Sequence, residues 1–230
     1  MEAVEAAIKF VSRYFPNSSV AFLAGSAIHG NTTITSDLDI VIFHAENTSF
    51  KYSVIDFDWL IQAIILPQTH YIDFLEGDAY NGRPTLLTMC AEGIIIKDQD
   101  RLALDIKNFA VKRLREGPNK LVKKECDDLR CEITDFLDDF VTSDNFEENM
   151  FIANELVVLS SRLLLRYNGK WTGEGKWLIR SLHQLDGDLS QTITHALKDF
   201  YQTGAKGELI EFSTRVLNLV GGRLYYGASV

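Results

Sequence analysis

The 230-residue sequence predicts an α+β protein, an N-terminal α/β domain with a mixed sheet followed by an all-helical C-terminal domain. Three observations carry this. Strand-like apolar runs are concentrated before residue 97, and beyond Pro118 the periodic segments have helical spacing except at the final residues. Between the two regions stands Glu116-Gly117-Pro118, a helix-stop signature. The boundary is therefore placed after Gly117, giving domains 1–117 and 118–230.

Taken in order, Val4, Ala7, Ile8, Val11, Tyr14 and Phe15 have helical spacing, and Pro16-Asn17 ends that helix. Residues 19–24 read as a strand, Gly25-Ser26 as a turn, 27–36 as a Gly/Asn/Thr-rich connection and 37–43 as a second strand. After a polar loop, 52–57 and 59–66 form either a hairpin turning near Asp58 or one longer bent strand, closed by Pro67. Helices are predicted over 69–79 and 85–93, joined by Asn81-Gly82-Arg83-Pro84, then a short strand at Ile94-Ile95-Ile96 and a helix over 99–115. The second domain reads as helices at 120–142, 146–167, 174–184, 188–202 and 206–220. There is no internal repeat or low-complexity tract.

Composition narrows the function classes. Apolar residues make up 46% and charged residues 24%, an ordinary globular balance, and no apolar run reaches the length of a membrane span. The start Met-Glu-Ala-Val lacks the basic region of a secretory signal, so a cytoplasmic location is expected. Cys90, Cys126 and Cys131 are odd in number and lack zinc spacing, which predicts free structural thiols. A net charge of −9 argues against nucleic acid as a partner and permits a neutral or cationic small molecule.

The chemistry concentrates in Phe22-Leu23-Ala24-Gly25-Ser26 and, eleven residues after Gly25, Ser36-Asp37-Leu38-Asp39-Ile40-Val41-Ile42-Phe43. Period-two alternation puts Asp37 and Asp39 on one face of a strand with apolar flanks. Two neighbouring carboxylates there repel each other, and a divalent cation is the simplest partner. Apolar-Gly-Ser, a gap of about ten, then Asp-apolar-Asp-apolar resembles the signature of the polymerase-β-like nucleotidyltransferase superfamily. That resemblance implies Mg²⁺ (or Mn²⁺) held by Asp37 and Asp39, a nucleoside triphosphate at Gly25 and Ser26, and a third carboxylate on a neighbouring strand.

A wider resemblance runs through Asn81-Gly82-Arg83-Pro84-Thr85-Leu86, Ala91-Glu92-Gly93, Glu116-Gly117-Pro118, Arg130 with Thr134 to Asp139, Trp171-Thr172-Gly173-x-Gly175-Lys176-Trp177 and Gly221-Gly222-x-Leu224. It is similar to bacterial nucleotidyltransferase-domain proteins built on the plan of aminoglycoside nucleotidyltransferases. In that group the third acid corresponds to Gln62, whose carbonyl can ligate a hard cation but brings no charge. Asp56 and Asp58 are the nearby substitutes, sharing the parity of Gln62 only if the strand runs unbroken.

Two further constellations lie in the helical region. Asp128, Glu132, Asp135 and Asp139 share one helix face, either solvated or lining a cleft between domains, where Asp135 or Asp139 would serve as a base. Gly173 and Gly175 precede a helix carrying Lys176 and Arg180 one turn apart, an arrangement suited to the nucleotide's phosphates, where the two would neutralise the pyrophosphate leaving group; the alternative is a tight turn with Trp171 and Trp177 packed as core.

The primary expectation is Mg²⁺-dependent transfer of a nucleoside monophosphate, AMP from ATP by the habit of the family, to a hydroxyl of a small-molecule acceptor such as an antibiotic. The alternatives are a nucleotide-binding protein impaired by Gln62 and a protein-modifying or toxin–antitoxin nucleotidyltransferase.

Overall fold

The computed structural model describes residues 1–29 and 36–227, which divide into two compact units, Met1–Gly117 and Pro118–Val230. The first is a mixed sheet with helices; the second is all helical among its described residues.

The first unit begins with α1 (Ala3–Tyr14), followed by β1 (Ser18–Ala24), a 3-10 turn (Gly25–His29), β2 (Leu38–His44), β3 (Phe50–Asp56) and β4 (Trp59–Pro67). Then come α2 (Tyr71–Asn81), α3 (Thr85–Glu92), β5 (Ile94–Asp98) and α4 (Leu102–Glu116). The strands lie in the order β3-β4-β2-β1-β5, with β2 parallel to β4 and every other neighbouring pair antiparallel. Part of the predicted 27–36 connection lies outside the described residues.

Period-two alternation sorts the sheet into two faces. Leu23 of β1, Leu38, Ile40 and Ile42 of β2, and Ile61, Ala63 and Ile65 of β4 pack with Ala6, Ala7, Phe10 and Val11 of α1. The predicted α1 is present, but its buried stripe is displaced from the predicted one. Val4 and Ile8 are exposed, because Phe10 draws the helix round to meet Tyr14, Phe15 and Tyr52. On the other face α3 and α4 pack on β1, while Lys51, Ser53 and Ile55 of β3 and Leu60 and Gln62 of β4 are exposed.

The two candidate strands 52–57 and 59–66 are a hairpin with a two-residue loop, since Asp56 pairs with Trp59. Phe57 (φ 55°) and Asp58 (φ 69°) are both left-handed, as the tight hairpin turn that matches strand twist requires.

The second unit consists of α5 (Lys123–Thr142), α6 (Phe146–Tyr167), α7 (Lys176–Leu185), α8 (Gly187–Thr203) and α9 (Gly207–Leu219) around their own core, which includes Ile133, Phe140, Leu163, Ile193, Phe200 and Phe212. The described final residues form no strand. They lie along α5: buried Arg130 donates to the carbonyls of Gly221 (2.9 Å) and Gly222 (3.0 Å), and the Leu224 N–H donates to Thr134 Oγ1 at 3.2 Å. Arg223 and Tyr225 both reach Asp138. No described helix is long and apolar enough to cross a membrane.

Candidate active site

β1 ends at Ala24, and the register sets Ala24 beside Asp39 of β2, so the turn that follows β1 meets the second carboxylate of the Asp-x-Asp pair. Gly25 has φ +73°, a conformation that costs a residue with a Cβ roughly 1 kcal/mol or more. Space is limiting as well. A Cβ on Gly25 would stand 3.0 Å from Asp39 Cγ and closer still to Oδ2. The Asp39 carboxylate therefore rests against backbone that only glycine leaves open. Both Asp37 and Asp39 are half-buried and Ser26 is exposed. Because Leu38 and Ile40 point into the α1 core, Asp39 takes the opposite face; Asp37 immediately precedes the strand.

On the other side of Asp39 stands Gln62 of β4, its direct partner in the parallel pair, and beyond it Ser53 of β3. In-register residues on adjacent strands project from the same face about 4.8 Å apart. A row of Asp39, Gln62 and Ser53 thus crosses the sheet, and Gln62 and Ser53 are exposed. Ser53 carried no signal in the sequence, since only strand pairing brings it beside Gln62.

Asp56 and Asp58, the substitutes considered for the third ligand, are elsewhere. The hairpin breaks the strand and with it the parity that would align them with Gln62. Asp56 accepts hydrogen bonds from the Tyr14 hydroxyl (2.9 Å), Arg13 (3.2 Å) and the Phe57 N–H (2.9 Å), on the α1 side of the sheet. Its carboxylate pushes the Tyr14 phenol upward from its ordinary pKa, because the hydroxyl donates to it. Asp58 sits in the turn with its carboxylate 3.2 Å from the Met1 amino group. Asp56 thus ties the hairpin to α1 and Asp58 ties it to the N-terminus, and neither is paired with Asp39 in the sheet.

Asp37, Asp39 and Gln62 offer two carboxylates and a carboxamide, of which Asp39 lies against Gly25 and Gln62 pairs with Asp39. All three are hard oxygen donors and fit a magnesium-like cation. Among the described residues no group of three His, Cys, Asp or Glu side chains could hold a metal.

Asp78 of α2, which no motif marked, is another half-buried carboxylate in this unit. Its Oδ2 accepts the Leu87 N–H at 2.9 Å and so caps the first turn of α3. Burial pushes its pKa up to about 6, against the opposing effect of the backbone hydrogen bonds. The nearby Cys90 thiol is pushed up to about 12, chiefly by burial, which leaves it inert as a nucleophile. All three cysteines are free.

The remaining candidates belong to the helical unit. Asp128, Glu132, Asp135 and Asp139 are all exposed along α5. Helix α7 starts at Lys176, two residues later than the sequence predicted, because Gly173 lies against Trp177 and Gly175 adopts φ +52°. Trp177 is not core. It is 57% exposed, with the Arg180 guanidinium 4.6 Å from its ring centre and Lys176 Nζ at 5.8 Å.

No protein-family model and no curated relative matches the sequence. Among solved structures, the chain is similar to a nucleotidyltransferase-like protein from Exiguobacterium sibiricum, with a TM-score of 0.49 and 13% identity over 94% of this chain and 73% of that one.

Proposed function

We propose that the first unit transfers a nucleoside monophosphate from a nucleoside triphosphate, ATP by preference, to a hydroxyl of a small-molecule acceptor. The observation that carries this reading is the seat of the Asp39 carboxylate against Gly25, at the end of a strand and beside a turn bearing Ser26.

The turn after β1 offers backbone N–H groups and the Ser26 hydroxyl to the triphosphate. Asp37, Asp39 and the Gln62 carbonyl would hold Mg²⁺, which when bound neutralises the polyphosphate and stabilises charge on the attacking and leaving oxygens. Gly25 keeps Asp39 fixed, so the carboxylate meets its ligand without first ordering a side chain. In the reaction the acceptor oxygen bonds to the α-phosphorus, the bond to the bridging oxygen breaks, pyrophosphate leaves and the hydroxyl proton passes to a base.

The test is incubation with Mg²⁺, labelled ATP and a library of hydroxyl acceptors, read as pyrophosphate release. Asp39→Asn removes one ligand charge and is expected to lower turnover by at least about 100-fold. Undiminished turnover would overturn the assignment.

Gln62 favours a second reading, nucleotide binding without transfer, because an uncharged side chain fills the position beside Asp39. In that case the wild type binds ATP with Mg²⁺ in calorimetry but releases no pyrophosphate, and Gln62→Glu switches turnover on. Turnover by the wild type that Gln62→Glu leaves unimproved rejects it.

A further inference from the structure

The helical unit holds a groove of about 970 Å³ between α7 and α8, bordered by Glu208 of α9. This is the upper end of the range of small-molecule sites, roughly 300 to 1,000 Å³. Arg180 and His183 line it from α7, and His195 and Lys198 from α8. The chain as a whole carries a net charge of −9, yet Glu208 is the one carboxylate among the residues lining this groove. Arg180 and Lys198 also have no carboxylate within ion-pair distance among the described residues; the partner of Arg180 is the exposed Trp177 ring. Permanent cations without counter-charges, gathered in a concave site of an acidic protein, concentrate a local positive field.

The neutral donors agree with that field. Ser190 Oγ lies 2.8 Å from the Gly187 carbonyl and 3.1 Å from His183 Nδ1, within hydrogen-bond distance of both. That contact engages Nδ1 and leaves the other ring nitrogen, Nε2, for a ligand. Gln191 adds a side-chain amide donor along the same wall, while the Thr194 hydroxyl donates to the Ser190 carbonyl at 2.8 Å and offers a ligand only its lone pairs. Trp177 does not itself line the groove; its exposed ring packs against Arg180, which does, and adds a flat apolar surface beside that charge.

We propose that the α7–α8 groove binds a phosphate-bearing small molecule, with Arg180 and Lys198 on the phosphate oxygens and Trp177 against the organic part. This site is independent of nucleotidyl transfer by the first unit.

The experiment titrates the isotope-labelled full-length protein with inorganic phosphate and then AMP, without divalent cation, with chloride at matched ionic strength as the control. The expected result is saturable movement of the Trp177 indole and the His183 and His195 ring resonances with phosphate but not chloride, and tighter binding of AMP. Arg180→Ala and Lys198→Ala each weaken binding by about tenfold, the scale of one charge-assisted hydrogen bond. Glu208→Gln tightens it by removing a like charge, which a merely structural role would not do. Asp39→Asn still binds phosphate in the groove, which separates this site from the transfer reaction. Movements that follow ionic strength alike with both salts, or saturable binding that neither Arg180→Ala nor Lys198→Ala weakens, would overturn the proposal. Equal affinity for phosphate and AMP would overturn the part given to Trp177.

Discussion

Gly25 and Asp39 are coupled by shape, and the coupling can be measured. Gly25→Ala brings a left-handed penalty of about 1 kcal/mol and an overlap with the Asp39 carboxylate. We expect a total loss of about 2 to 3 kcal/mol by urea unfolding, falling to about 1 in an Asp39→Ala background, where the overlap has gone. Equal losses in both backgrounds would show that the carboxylate is free to move aside. Asp78 sets a different test. Its pKa is raised from the ordinary 3.8 to about 6, so the folded state binds the proton more tightly than the unfolded chain. Its contribution is present below about pH 4 and lost as the pH rises through 6. Asp78→Asn keeps an acceptor for the Leu87 N–H and removes the titration. Relative to the wild type it should gain on the order of 2 kcal/mol between pH 4 and 7, read from the difference in urea midpoints. Of these residues, Gly25 and Asp39 were legible in the sequence because strand, turn and alternation are local properties. Asp78 was not, because its burial depends on how α2 meets α3.

At the scale of elements, the hairpin and the C-terminal clasp show what local pattern leaves open. The apolar run from Tyr52 to Leu66 was compatible with one bent strand or two, and the choice decided whether Asp56 faces Gln62 or α1. The left-handed Phe57 and Asp58 settle it, and no Gly or Asn advertised that turn. The acidic face of α5 was legible from its spacing. The role of Arg130 within the same helix was not, since the carbonyls it satisfies lie about ninety residues away. Arg130→Met would leave the Gly221 and Gly222 carbonyls without this donor and Asp127 without its partner at 2.8 Å. A loss of about 3 kcal/mol is expected, with release of the 221–227 segment visible as faster amide exchange at Leu224. Unchanged exchange there would show that the segment is held by other contacts.

For the molecule as a whole, the helical unit has a core of its own that runs through all five of its helices. Residues 118–230 expressed alone are therefore expected to give a helical circular-dichroism spectrum and a cooperative thermal transition. A non-cooperative melt would show that this core needs the first unit to close. Arg180, which the sequence pairs with Lys176, also lines a groove within the helical unit, together with His195 and Lys198 of α8, which no motif linked to it.

By itself the sequence determined the class of the protein, the division after Gly117, the order of its elements and the pairing of a Gly-Ser turn with an Asp-x-Asp strand. These rest on periodicity and chain geometry within a few residues. Only the tertiary structure decided that Gln62 and not Asp56 stands beside Asp39, that α1 turns Phe10 rather than Ile8 inward, and that Trp177 faces solvent under Arg180. Strand register and helix rotation are set by which distant side chains fill the same space, and that competition is settled only when the whole core closes.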